Sequence, residues 1–206
     1  MRGNSASRRI HRFLTAVAVL LVLPACGGKT VQRIDTDTTV DISGNWNDTD
    51  SRLVSEEMIS QVLAHPWLAR YEAVHNDRPT VIVGTVRNNS SEHIDTNIFT
   101  KNLEVAFVNS GRVRVVASRD ERGEIRDERD QQQDWSDPAT VKRFGKELGA
   151  DYMMIGSVGS IVDEEGKDKV IYYQVNLELI DIETNEKVWI GQKEIKKYIG
   201  KGKFKA

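Results

Sequence analysis

Residues 170–181 alternate in polarity: Ile171, Tyr173, Val175, Leu177 and Leu179 fall on one side, Gln174, Asn176 and Glu178 on the other. Only an extended chain has a side-chain period of two, so this stretch is a strand with one buried face and one wetter face. Such a strand belongs in an antiparallel sheet. Its neighbours follow from the same reading. Residues 152–162 form the most apolar strand, and 163–169 turn around Gly166 between the two. Glu183 to Glu186 turns into a further strand carrying Val188, Trp189 and Ile190.

Upstream the pattern changes to strand, helix, strand. Pro79 and Thr80 open a buried strand from Val81 to Val86, and residues 87–92 read as a polar loop. Asp95 or Thr96 caps a helix whose apolar face is Ile98, Phe99, Leu103, Ala106 and Phe107, with Asn109-Ser110-Gly111 as its stop. A second strand spans 113–117. The unit takes about 37 residues, which favours a right-handed crossover and a parallel strand pair.

Helices account for most of the rest. Asp48, Thr49 and Asp50 offer N-caps for a helix to about Ala64, with Val54, Met58 and Val62 on its core face and Leu53, Ile59 and Leu63 widening it. His65-Pro66 ends that helix, and Trp67, Leu68 and Tyr71 read as a packed connection. Residues 119–134 hold four arginines, seven acids and one aliphatic residue, Ile125, as in a solvated helix laced with i, i+4 ion pairs. Asp137 and Pro138 make an N-cap and N1 pair for a helix that buries Val141, Phe144 and Leu148 and stops at Gly149. The expected fold is α/β (α+β), a mixed four- to five-stranded sheet flanked by helices, in one domain over residues 41–200.

The head of the chain has a different character. Residues 1–12 carry Arg2, Arg8, Arg9 and Arg12 and no acid, and Phe13 to Leu23 is an apolar run of 11 residues. A membrane-crossing helix needs about 20. The order of basic, apolar and small residues is that of a secretory signal. It ends in Leu23-Pro24-Ala25-Cys26, which contains the chain's only cysteine and resembles the lipobox of bacterial lipoproteins. The resemblance implies a diacylglycerol on the Cys26 sulfur, cleavage between Ala25 and Cys26, and an acyl chain on the new amine. One buried acyl chain anchors marginally and two or more anchor firmly. An ordinary signal peptide with an incidental cysteine is the alternative. Gly27 and Gly28 follow, with no aspartate after the cysteine, and among such lipoproteins this favours the outer membrane. Residues 26–40 read as a flexible tether and 201–206 as a basic tail.

Removing residues 1–25 leaves 25 basic and 31 acidic residues, a formal charge of −6 over 181 residues. That balance argues against general nucleic-acid binding and suits one domain with a sizeable core. With Cys26 lipidated no disulfide is possible, so packing must stabilise the fold.

No enzyme is legible. His11, His65, His75 and His93 are not spaced as metal ligands, and no cofactor is implied. Gly156-Ser157-Val158-Gly159 lacks the phosphate-loop lysine and is not a hydrolase elbow. Asp163-Glu164-Glu165 reads as a solvated turn, with cation binding the alternative. Three features are candidates for recognition. Trp135 sits in a polar stretch, either as an exposed interface anchor or folded back on the sheet. Arg87-Asn88-Asn89-Ser90-Ser91 follows the first strand, where α/β sheets often bind ligands, or is a plain solvated loop. The C-terminal lysines, from Lys193 to Lys205, either touch anionic lipid or glycan or only solubilise.

Several motifs resemble those of the LpoB-type outer-membrane lipoproteins that activate penicillin-binding proteins. They are Ser43-Gly44-Asn45-Trp46-Asn47-Asp48-Thr49-Asp50-Ser51, Asn88 with His93-Ile94-Asp95-Thr96, Gly111-Arg112-Val113, Gly149-Ala150-Asp151-Tyr152 and Lys187-Val188-Trp189-Ile190-Gly191. The strand and helix plan is also similar to the amino-terminal domain of TolB and to curli-secretion lipoproteins. The LpoB resemblance implies a mixed sheet flanked by helices, no catalysis, and binding to a class A penicillin-binding protein whose glycan polymerisation and crosslinking it raises. The alternative is a structural or secretion-linked envelope lipoprotein that self-assembles. Enterobacterial members have a long proline-rich tether. Here it is about 14 residues without proline, reaching at most ~50 Å extended and about 20 Å as a coil.

Overall fold

The computed structural model describes residues 31–141 and 146–200. In chain order these form α1 (Asp48–Ala64), α2 (Pro66–His75), β1 (Thr80–Asn89), α3 (Thr96–Ser110), β2 (Arg114–Val115), α4 (Arg119–Trp135), β3 (Tyr152–Glu165), β4 (Asp168–Asp181) and β5 (Lys187–Ile199). The chain divides into two units, Met1–Thr36 and Asp37–Ala206. In the first, the described residues 31–36 are exposed and form neither helix nor strand. The second holds every element above.

The five strands form one mixed sheet in the order β2-β1-β3-β4-β5. β1 lies parallel to both β2 and β3, while β4 runs antiparallel to both β3 and β5. The alternation in β4 decides which side is inside. Ile171, Tyr173, Val175, Leu177 and Leu179 are at most 1% exposed, and Tyr172, Gln174, Asn176 and Glu178 lie on the opposite, partly open face. β3 and β4 pair along their whole length, from Tyr152 with Asp181 to Glu165 with Asp168. Gly166, at φ +63°, supplies the left-handed turn between them, as a tight hairpin requires.

Helices α1 and α3 close the buried face. Asn47 and Asp50 form a reciprocal capping box at the start of α1, satisfying two of its free amides. Val54, Met58 and Val62 are fully buried, each contributing about 1.5–3 kcal/mol by leaving water. Phe99, Leu103 and Phe107 of α3 join them. Asp95 caps α3, and Gly111 at φ +65° ends it. Leu53 and Ile98, read from sequence as core, are exposed at the edges of their helices. The apolar stripes are narrower than periodicity alone implied.

Five sequence expectations are corrected by tertiary pairing. The connection after His65 is a helix, α2, with Pro66 in its first turn, and the Trp67 indole donates to the Val62 carbonyl at 2.8 Å. Arg87, Asn88 and Asn89 are not loop residues: pairing with Ser157, Val158 and Gly159 draws them into β1. The second strand shrinks to two residues at the sheet edge. No helix follows Pro138 among the described residues. Asp137 instead closes a turn, taking the Thr140 and Ala139 amides at 2.8 and 2.9 Å, while Leu148 is 53% exposed. Phe144 lies outside the described residues. Finally, β5 runs to Ile199, so Lys193, Lys196 and Lys197 belong to the sheet; Lys201, Lys203 and Lys205 lie outside the described residues.

Candidate functional site

The motif around Trp46 builds a corner of the domain. The Trp46 ring meets Tyr173 edge-on at 5.3 Å, and its indole donates to Ser51 Oγ at 2.8 Å. Glu92 joins both: one carboxylate oxygen accepts the Trp46 amide at 2.9 Å, the other the Tyr173 hydroxyl at 2.6 Å. Burial and this carboxylate push the Tyr173 phenol well above its ordinary value. Beside it, Lys197 Nζ lies 2.6 Å from Asp50 and 2.8 Å from Asp41. Burial disfavours the Lys197 ammonium, but the two carboxylates outweigh it and its pKa rises.

A second clamp explains the Gly149-Ala150-Asp151-Tyr152 motif. Asp151 Oδ2 accepts the Thr80 amide at 2.7 Å and the Tyr71 hydroxyl at 2.9 Å, tying α2 to the starts of β1 and β3. Burial, then Asp151, raise the Tyr71 phenol to about 12. Tyr152 meets Trp67 edge-on at 5.1 Å. These groups are saturated by one another, which fits structural work.

The residues read as sites scatter. Ala25 and Cys26 lie outside the described residues. Arg87 is exposed near the end of β1. Asn88 donates from Nδ2 to the Glu92 carbonyl at 2.7 Å, and its Oδ1 accepts the Ser90 amide at 3.0 Å, so it shapes the turn after β1. Trp135 is 88% exposed at the far end of α4, so it does not fold back on the sheet. A 17-residue helix puts about 24 Å between Arg119 and Trp135. Gly156-Ser157-Val158-Gly159 is mid-strand in β3, and a Cβ on Gly156 would strike the Asn176 carbonyl and Leu177. Asp163, Glu164 and Glu165 end β3 at the hairpin, and no acid or histidine cluster suited to a metal occurs among the described residues.

Helix α4 buries no residue. Its Ser118–Glu121 capping box starts it, and its ion pairs point outward instead of along the helix. Lys101 of α3 bridges Glu104 and Glu121, each at 2.6 Å, while Arg126 and Arg129 hold Glu147 at 2.8 and 3.2 Å. Lys101 and the Ser118 cap hold Glu121 down at about 2.

Between the open sheet face, the start of α3 and the start of α4 lies a cleft of about 830 Å³. Ile82, Met153 and Ile155 line it with apolar surface; Arg87, Arg119 and Arg122 line it with guanidinium groups. That volume is within the usual range for ligand pockets, and the lining offers hydrogen-bond donors above an apolar floor. Sequence pattern pointed to Arg87 but not to the cleft, because its three arginines come from two elements that only the fold brings together.

Solved structures similar to this chain include the LpoB C-terminal domain from Salmonella enterica, at 18% identity, covering 63% of this chain and 93% of that one with a TM-score of 0.33. The LpoB C-terminal domain from Escherichia coli matches at 16% identity with the same coverage and a TM-score of 0.36. The PelC dodecamer from Paraburkholderia phytofirmans matches at 17% identity, over 58% of this chain and 72% of that one, with a TM-score of 0.32. No curated protein sequence matches. The family model for the peptidoglycan-synthase activator LpoB spans residues 50–195, from the capping box of α1 to near the end of β5, and the chain therefore belongs to the LpoB family.

Proposed function

We propose that this protein is an outer-membrane lipoprotein, anchored through Cys26 and facing the periplasm, that binds a class A penicillin-binding protein and raises its activity without catalysing a step itself. The family match over residues 50–195 carries the reading, since the family is one of peptidoglycan-synthase activators. The Leu23-Pro24-Ala25-Cys26 motif supports the anchor, and residues 26–40 serve as its tether. Activation works by stabilising an active conformation of the partner, so its size is bounded by the differential affinity for the two states. Arg87 and the exposed Trp135 are the contact residues in this reading, with Asn88 shaping the turn beside Arg87.

Two experiments test it. Pull-down against the class A synthases of the source cell, paired with a glycan polymerisation assay, should find one synthase bound and stimulated; no binding and no stimulation across all of them defeats the reading. Labelled fatty acid should appear on the wild type and vanish with Cys26→Ser. Label that persists in the variant removes the anchor.

A further inference from the structure

The arginines of the cleft differ from most others in the domain. Arg52, Arg112, Arg114, Arg126 and Arg129 are in ion pairs. Arg87, Arg119 and Arg122 have none among the described residues, yet all three line one cleft. The Nε of Arg122 is buried without a hydrogen-bond partner. A buried donor left unpaired carries a desolvation cost, which the side chain sheds when it turns to meet an acceptor.

The acids of the cleft do not cancel this charge. Glu104 is held by Lys101 at 2.6 Å and Glu178 by Lys187 at 2.8 Å. Of the lining acids only Asp120 is unclaimed by a lysine, and from outside the lining Glu147 acts on Arg122 alone of the three guanidinium groups. The cleft is therefore cationic inside a chain whose formal charge is −2. Its shape narrows the ligand further. The lining follows β1 from Ile82 to Asn89, a trough about 23 Å long at one strand rise per residue. A compact ion would use a small part of it and leave the floor of Ile82, Met153 and Ile155 wet. Met153 is 36% exposed at present. An extended segment of about seven residues matches the length, with apolar side chains down and carboxylates to the rims.

We propose that this cleft binds an extended acidic peptide segment of the protein's partner, its apolar side chains on Ile82, Met153 and Ile155 and its carboxylates on Arg87, Arg119 and Arg122. The proposal rests on the reading of the protein as one that works by binding another protein. Guanidinium groups suit the role because they take carboxylates in a two-pronged geometry that a lysine does not offer.

The probe is a fluorescein-labelled seven-residue peptide of alternating glutamate and valine, titrated with the full chain in detergent and followed by anisotropy. Saturable binding is expected, weakened at least tenfold by Arg87→Glu with Arg119→Glu, and likewise by Arg122→Gln. Arg87 and Arg119 are exposed and unpaired, so an unchanged Tm confirms that the double variant folds. A peptide with lysine in place of glutamate should not bind. The proposal is overturned by absent binding, by equal binding of the lysine peptide, or by affinity unchanged in both variants. Displacement by citrate at the same concentration as unlabelled peptide also overturns it, since that describes a small-anion site. The synthase assay separates this from the broader reading. Full stimulation by the Arg87→Glu, Arg119→Glu protein removes the cleft and leaves the activator role standing. Arginine-dependent peptide binding with no synthase stimulated by the wild type does the reverse.

Discussion

Tyr173 and Glu92 stand 81 residues apart in sequence, and the Tyr173 hydroxyl donates to Glu92 Oε1 at 2.6 Å. The tyrosine comes from the middle of β4, the glutamate from the turn after β1, and the same carboxylate holds the Trp46 amide. One side chain thus fastens the entry of the domain to its central strand.

Tyr173→Phe should lower stability by about 1.5–3 kcal/mol, the usual worth of a hydrogen bond to a charged group. Urea unfolding should show a lower midpoint at unchanged m. An unchanged midpoint would mean that Glu92 is satisfied equally well by water.

Lys197→Met should cost more, about 3 kcal/mol, because it leaves the Asp50 carboxylate buried without its cation. Both side chains are at most 10% exposed. Adding Asp50→Asn should recover part of the loss, since an amide oxygen can still accept the Asn47 amide in the α1 cap. Chemical denaturation of the three variants gives the cycle; a double variant as weak as Lys197→Met alone would contradict the account.

Gly191→Val should destabilise by about 1–3 kcal/mol through overpacking. Gly191 pairs with Leu177, and a Cβ there would strike the Trp189 ring and Met58. Trp189 fluorescence should change along with the thermal midpoint. A variant of wild-type stability would show that the ring can move aside cheaply.

All five tyrosines, Tyr71, Tyr152, Tyr172, Tyr173 and Tyr198, have pKa values raised above the ordinary phenol range. Burial leads for Tyr71, Tyr152 and Tyr173; hydrogen bonds to Glu194 and Asp168 lead for Tyr172 and Tyr198. The sign follows from linkage. The unfolded chain loses phenol protons first, near pH 10, so this stability is whole below pH 10 and falls as pH rises through the folded values, about 12 for Tyr71. Absorbance at 295 nm should rise late in the native protein and near pH 10 in urea. Phenolate appearing near pH 10 in the folded protein would contradict it.

The sequence by itself determined the buried faces of β4 and α1. The two-residue period of β4 put Ile171, Tyr173, Val175, Leu177 and Leu179 inward, and the helical spacing of Val54, Met58 and Val62 did the same for α1. Period and caps are local properties, so they are readable without a neighbour. The family motifs were readable too, because they cluster where the chain enters and turns. What the sequence did not contain was pairing. Arg87 to Asn89 became strand because β3 lies alongside, and Leu148, read as buried, is exposed. The cleft is the clearest case: Arg87 reaches it from β1 and Arg119 and Arg122 from α4. No spacing along the chain encodes that meeting; it depends on where the sheet sets the end of one element against the start of another.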